Sequence, residues 1–148
     1  MHNQSTSSPL TYPLGEHLPP TGQATEVAPG VHWLRMGLPF ALDHINLWLL
    51  RDQQPDPQNP DRLREGWTVV DCGIDNSATR EAWQQVQTQV MQGLPVLRVI
   101  VTHMHPDHMG LAHWLCERWQ APLWMGITEY QAAKLAWTQQ SGLGSAPA

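Results

Sequence analysis

The fold is decided by the stretch Thr102-His103-Met104-His105-Pro106-Asp107-His108-Met109-Gly110, which holds four potential metal ligands within six positions. Directly before it, the β-branched run Val96–Val101 follows Gly93-Leu94-Pro95 and predicts a buried strand, because it is too short for a core helix. After it, apolar residues recur at roughly helical spacing, which predicts a helix over 109–119. The ligands are therefore expected on a turn between a strand and a helix.

The order of the ligands predicts two groups of side chains within this turn. His103 and His105 are two residues apart, so an extended backbone directs both the same way, and Pro106 favours extended geometry at His105. Asp107 and His108 are adjacent and must point in different directions from each other, which would suit a second metal beside the first. Because the carboxyl end of a strand in an α/β sheet opens into the crevice where such folds bind ligands, this turn is the candidate metal site.

The motif resembles the His-x-His-x-Asp-His signature of the metallo-β-lactamase superfamily of metal-dependent hydrolases. Two upstream segments, the Asn-containing strand at 45–50 and the Asp-x-Gly strand end at 69–73, resemble further landmarks of that family in the same order. The resemblance covers about 24–137 and looks most like hydroxyacylglutathione hydrolase and its relatives. It implies a metal site formed by His103, His105, Asp107 and His108.

The resemblance also implies a chemistry for these residues. One or two Zn²⁺ ions, or another divalent metal, would generate a hydroxide that attacks a thioester, ester or related bond. Asp107 would be the catalytic residue, because it could orient that hydroxide and take its proton while coordinating the metal. Asp71 is expected as a buried carboxylate that supports the ligands; the alternative is an aspartate that bonds the backbone of its own turn.

The predicted fold class is α/β (α+β), the N-terminal half of a metallo-β-lactamase-like αββα sandwich with a mixed sheet and covering helices. Residues 1–22 are expected to be a disordered lead-in, residues 23–140 a partial domain, and residues 141–148 a flexible tail. The remaining expected elements are a hairpin at 25–38, a strand at 44–50, a polar surface loop at 52–65, a strand at 67–71, a helix capped by Asn76, a strand at 121–125 and a helix opened by a Thr128–Gln131 capping box.

The C-terminal part of the chain departs from the family pattern. Family members carry a further metal-binding histidine downstream of the motif, a later bridging aspartate and a final histidine, but no histidine follows His113 and no aspartate follows Asp107. Each metal would then be under-coordinated, since a catalytic zinc usually keeps three protein ligands. We therefore expect a truncated member, and a non-catalytic remnant with weak or no metal binding is the alternative.

Composition narrows the classes of partner. A net charge of −5 and a pI near 5.8 disfavour nucleic acid, because they offer no basic patch for phosphate backbones. No apolar run reaches transmembrane length and no secretory signal is visible, so no membrane partner is expected. Two cysteines are too few for a disulfide framework and fit a cytoplasmic protein. The expected partner is a small-molecule substrate; the oligomeric state stays open.

Overall fold

A computed structural model describes residues 9–142 of the chain, with side chains described to residue 138. Its strands are β1 (Ala24–Ala28), β2 (Val31–Gly37), β3 (His44–Asp56), β4 (Asn59–Val70), β5 (Val96–Val101) and β6 (Leu123–Met125). Its helices are α1 (Ser77–Gln89), α2 (Pro106–Met109), α3 (Ala112–Trp119) and α4 (Ile127–Gly142). Residues 1–8 of the expected lead-in and 143–148 of the expected tail lie outside the described residues.

The strands form one six-stranded sheet whose spatial order follows the chain order. Strands β1 to β4 are antiparallel neighbours, whereas β5 and β6 are added in parallel. Parallel neighbours require a crossover connection, and α1 and α3 lie in the two crossovers. The predicted mixed sheet with covering helices is therefore confirmed. None of the described helices is long and apolar enough to cross a membrane.

The core lies on one face of the sheet, where alternate strand residues meet the helices. Leu34, Leu47 and Val69 are completely buried there, in one cluster with Val86 of α1 and Leu115 of α3. The strand alternation and the helical spacing in the sequence thus converge on a single apolar layer. The N-cap predicted for α1 is also confirmed, since the Asn76 side chain accepts a hydrogen bond from Thr79 N.

The opposite face of the sheet carries an apolar row that runs straight across five strands. Its members are direct register partners from β2 to β6: Trp33, Trp48, Val70, Ile100 and Trp124. Each of them remains partly or largely exposed to solvent. Residues 9–138 therefore provide no complete covering layer for this face.

The surface loop predicted over 52–65 is wrong, because β3 and β4 continue through this region as a paired hairpin. Pairing extends to Pro55 opposite Leu63, with a register shift at Asp56. The hairpin projects beyond the core, so both of its faces take polar residues and the period-two signal of a strand is lost. Cross-strand contacts such as the hydrogen bond from Thr68 Oγ1 to Asp52, at 2.6 Å, hold its base.

Two predicted helices begin or continue differently in the structure. The helix expected over 109–119 is confirmed at 112–119 as α3, but it does not begin at Met109, because the chain turns at Gly110-Leu111 between α2 and α3. There, Leu111 N donates to Gly73 O at 3.1 Å, so a tertiary contact replaces part of the helical pattern. The capping box expected at Thr128 is wrong, since α4 begins at Ile127 and includes Thr128.

The position of the core yields a first testable prediction. We expect Leu47→Ala to lower the free energy of unfolding by about 2–5 kcal/mol, because the truncation leaves a cavity in a completely buried site. Leu63→Ala is the matched control, since Leu63 is 60% exposed on the projecting hairpin and should cost less than about 0.5 kcal/mol. Urea denaturation followed by tryptophan fluorescence measures both; equal losses would contradict the assigned core.

Candidate metal centre

The motif lies where the parallel strands β4 and β5 end side by side. Asp71, the first residue after β4, donates its backbone N–H to Ile100 O of β5 at 2.8 Å. The chain then leaves β5 at Thr102 and enters α2 at Pro106. The placement of the motif on a turn between strand and helix is as the sequence predicts, and the turn lies at the carboxyl ends of both strands.

The Asp71 carboxylate connects these two strand ends. It accepts hydrogen bonds from Thr102 N at 2.8 Å and from Thr102 Oγ1 at 2.8 Å, and its Oδ2 lies 2.9 Å from His108 Nδ1. Only 5% of Asp71 is exposed, and its backbone has a φ of +61°, a left-handed conformation that few residues other than glycine adopt. The side chain thus bonds across to β5 and to the motif.

His103 and His105 form the first pair of donors. The distance from His103 Nε2 to His105 Nδ1 is 3.2 Å, and Thr102 Oγ1 lies 2.9 Å from the other ring nitrogen of His103. Two nitrogens bound to one tetrahedral zinc at about 2.0–2.1 Å are about 3.3 Å apart. The spacing of this pair therefore fits two ligands of one zinc ion.

Asp107 and His108 form the second pair. His108 Nε2 lies 3.5 Å from Asp107 Oδ2, a spacing close to that of two zinc ligands. If His108 Nδ1 donates to Asp71, its Nε2 keeps the lone pair that a metal needs. The ring centroids of His103 and His108 are 3.9 Å apart, so the two pairs are immediate neighbours.

The donor chemistry and spacing fit zinc, but the ligand set is incomplete. Among the described residues, no group of three or more His, Cys, Asp or Glu side chains could hold a metal ion. Each pair offers two ligands, whereas a catalytic zinc usually has three from protein. His113, which the sequence analysis leaves outside the motif, is 60% exposed and lies 3.9 Å from Asp75.

The turn after β4 also anchors the second half of the motif through its backbone. Cys72 N donates to His108 O at 2.7 Å. A Cβ atom on Gly110 would meet Pro106 O, and would lie 2.7 Å from Asp75 N and 2.8 Å from Gly73 O. These contacts pack the two turns directly against each other. In the sequence, the only indication of the contact between these two turns is the pair of glycines Gly73 and Gly110.

Cys72 lies inside this turn and is completely buried. Burial raises the pKa of the Cys72 thiol well above its ordinary value, and the neighbouring Asp71 carboxylate raises this pKa further. Cys116 is also a free thiol, and burial raises its pKa.

A cavity of about 330 Å³ opens where β2 ends and β3 begins. Because β3 runs antiparallel to β4, the start of β3 lies at the same end of the strands as Asp71, which follows β4. The polar groups that line the cavity are Arg35, Asp43 and His44, and the remaining wall includes the segment 18–21. His44 Nδ1 pairs with Asp43 at 2.8 Å.

Comparison with known protein families identifies the superfamily of the chain. A model of the metallo-β-lactamase superfamily matches residues 62–144, which is more than half of the chain and includes the whole motif. The chain belongs to the metallo-β-lactamase superfamily. Members of this superfamily are generally metal-dependent hydrolases and typically bind zinc, so the resemblance found in the sequence is confirmed at the level of the superfamily.

Solved structures extend the comparison. A β-lactamase domain protein from Burkholderia ambifaria is 54% identical over 84% of this chain and 36% of its own length, with a TM-score of 0.76. A metallo-β-lactamase from Pontibacter korlensis is 17% identical over 76% of this chain and 46% of its own, with a TM-score of 0.54, and shows the fold alone. No curated protein matches the chain. The chain thus spans 36% and 46% of the lengths of these two proteins.

The contact between the two turns gives a second prediction. We expect Gly110→Ala to lower the free energy of unfolding by about 1–3 kcal/mol, because the added methyl group meets backbone atoms that cannot rotate away. Gly37→Ala is the control, since the nearest atom to its added Cβ is 3.9 Å away and the change should stay within about 0.5 kcal/mol. Urea denaturation compares them; a Gly110 variant as stable as the Gly37 variant would refute the close packing.

Proposed function

We propose that this chain carries one part of the metal centre of a zinc-dependent hydrolase, namely the ligands of the His-x-His-x-Asp-His motif. The observation that carries the proposal is the pair of donor sets, His103 with His105 and Asp107 with His108, whose spacings of 3.2 Å and 3.5 Å both approach that of two zinc ligands. The hydrogen bond between Asp71 and His108 supports it, because such carboxylate–histidine contacts orient metal ligands.

In this proposal the four motif residues hold one or two Zn²⁺ ions. When bound, the metal would lower the pKa of water and polarise the oxygen of the substrate's scissile bond. His103 and His105 act as neutral imidazoles, and Asp71 keeps His108 in the tautomer that leaves Nε2 free. Asp107, whose carboxylate lies beside His108 at the start of α2, accepts a proton during hydrolysis.

The proposed substrate is a small molecule with a thioester, ester or related bond, as for hydroxyacylglutathione hydrolase-like enzymes. The cavity of about 330 Å³ between the end of β2 and the start of β3 has the size of small-molecule sites, but none of the four motif residues lines it. The net charge of −5 argues against nucleic acid. Two free cysteines agree with the reducing, cytoplasmic location that we include in the proposal.

The missing ligands are part of the same proposal. Since each pair supplies only two donors and the chain spans 36% of the Burkholderia ambifaria protein, we infer that the centre is completed by residues beyond the described chain. No particular observation favours the alternative of a non-catalytic remnant, but the two possibilities differ in metal binding and can therefore be separated.

Zinc binding tests the proposal. We expect His105→Ala to weaken zinc binding by the 148-residue chain at least about tenfold, because it removes one donor of the first pair. His113→Ala is the matched control, since this exposed histidine is outside both pairs, and it should bind zinc like the parent chain. Isothermal titration with ZnCl₂ at neutral pH measures the affinities, and elemental analysis after dialysis measures retained metal.

The outcomes separate the two possibilities. Zinc binding that is lost in His105→Ala and kept in His113→Ala supports the hydrolase centre. Zinc-dependent cleavage of S-lactoylglutathione by the intact protein that supplies the missing ligands then tests the substrate class, and absence of turnover by that protein with stoichiometric zinc bound would eliminate this substrate. Zinc binding that is identical in the two variants would favour the remnant.

A further inference from the structure

The backbone between the two histidines of the first pair is held by a residue from another element. Met104 N donates a hydrogen bond to Glu129 Oε2 at 2.9 Å, across 25 positions of the sequence. Glu129 is the third residue of α4. We propose that Glu129 is a positioning residue that fixes the loop of His103 and His105 in the geometry needed to bind one metal; the inference rests on the proposed function.

The two donor pairs differ in how they are anchored, which shows why this bond matters. The second pair is tied to the turn after β4, through Asp71 and through the backbone of Cys72. The ring of His103 contacts Thr102 and His105 within the motif, so it reaches Asp71 only indirectly, through Thr102. Within residues 9–138, the bond from Met104 to Glu129 is the hydrogen bond that ties 103–105 to an element outside the motif.

The chemistry of the contact suits this role. A carboxylate that accepts from a backbone N–H forms a charge-assisted hydrogen bond, which is stronger than one between neutral groups. The first turn of a helix is a favourable position for a carboxylate because of the helix dipole, and Glu129 occupies that turn of α4. Because Met104 lies between His103 and His105, a fixed Met104 amide restricts the backbone that carries both side chains.

A purely structural role for Glu129 would lie in the stability of α4 alone. A carboxylate in the first turn stabilises a helix whatever else it contacts, so a change in global stability does not separate the two roles. Protection of the Met104 amide against hydrogen exchange does separate them, because this amide belongs to the metal loop and not to α4. The measurement needs no metal and therefore does not depend on the proposed function.

The experiment measures amide exchange by NMR in the metal-free 148-residue chain and zinc affinity by titration. In Glu129→Ala we expect exchange of the Met104 amide to rise roughly tenfold or more and zinc affinity to fall about tenfold. Glu129→Gln keeps a carbonyl oxygen as an acceptor, so both effects should be smaller. Glu81→Ala, which removes an exposed glutamate from α1, is the matched control and should change neither.

The outcomes decide the two claims separately. Met104 exchange that is unchanged in Glu129→Ala overturns the positioning role, as does faster exchange with unaltered zinc affinity. A loss of stability confined to the amides of α4 would assign Glu129 to the helix instead. Zinc binding by the parent chain that is insensitive to His105→Ala would defeat the proposed function, whereas the exchange data on the metal-free chain would still test the hydrogen bond between Met104 and Glu129.

Discussion

The Asp71 carboxylate is the group on which the rest of the site depends. It is almost completely buried and bonds Thr102 twice and His108 once. Hydrogen bonds to a charged group contribute about 1.5–3 kcal/mol each, which offsets the cost of roughly 1–3 kcal/mol for its left-handed backbone. The ends of β4 and β5 and the start of α2 are thereby held as one unit.

The elements that the sequence predicts well are those whose signals are local. The run at 96–101, the cap at Asn76 and the hairpin around Pro29-Gly30 each combine a periodic pattern with its own terminating residues, and all three are present in the structure. The hairpin at 52–65 is not predicted, because the polar residues on both of its faces have the composition of a surface loop. The break between α2 and α3 at Gly110 is not predicted either, because a contact with Gly73, more than thirty residues upstream, imposes it.

The candidate site shows the same division between local and distant information. The spacing of the motif predicts which residues are grouped, and the end of the Val69-Val70-Asp71 run points to a carboxylate nearby. Thr102 and Glu129 were not anticipated as contacts, because their partners lie 31 and 25 residues away. At Glu129 the local pattern was misleading, since the neighbouring Thr128 and Gln131 suggested a helix cap that the structure does not form.

Packing and coordination are both incomplete in the part of the chain that the structure describes. The row from Trp33 to Trp124 leaves an apolar face without a complete cover in residues 9–138, and exposed patches of this kind mark contact surfaces. The donor pairs leave each proposed metal short of protein ligands. Neither observation depends on the other, because one concerns side-chain burial and the other concerns donor atoms. A single further layer that covers the row and carries the missing ligands would satisfy both, which is what the proposed function requires.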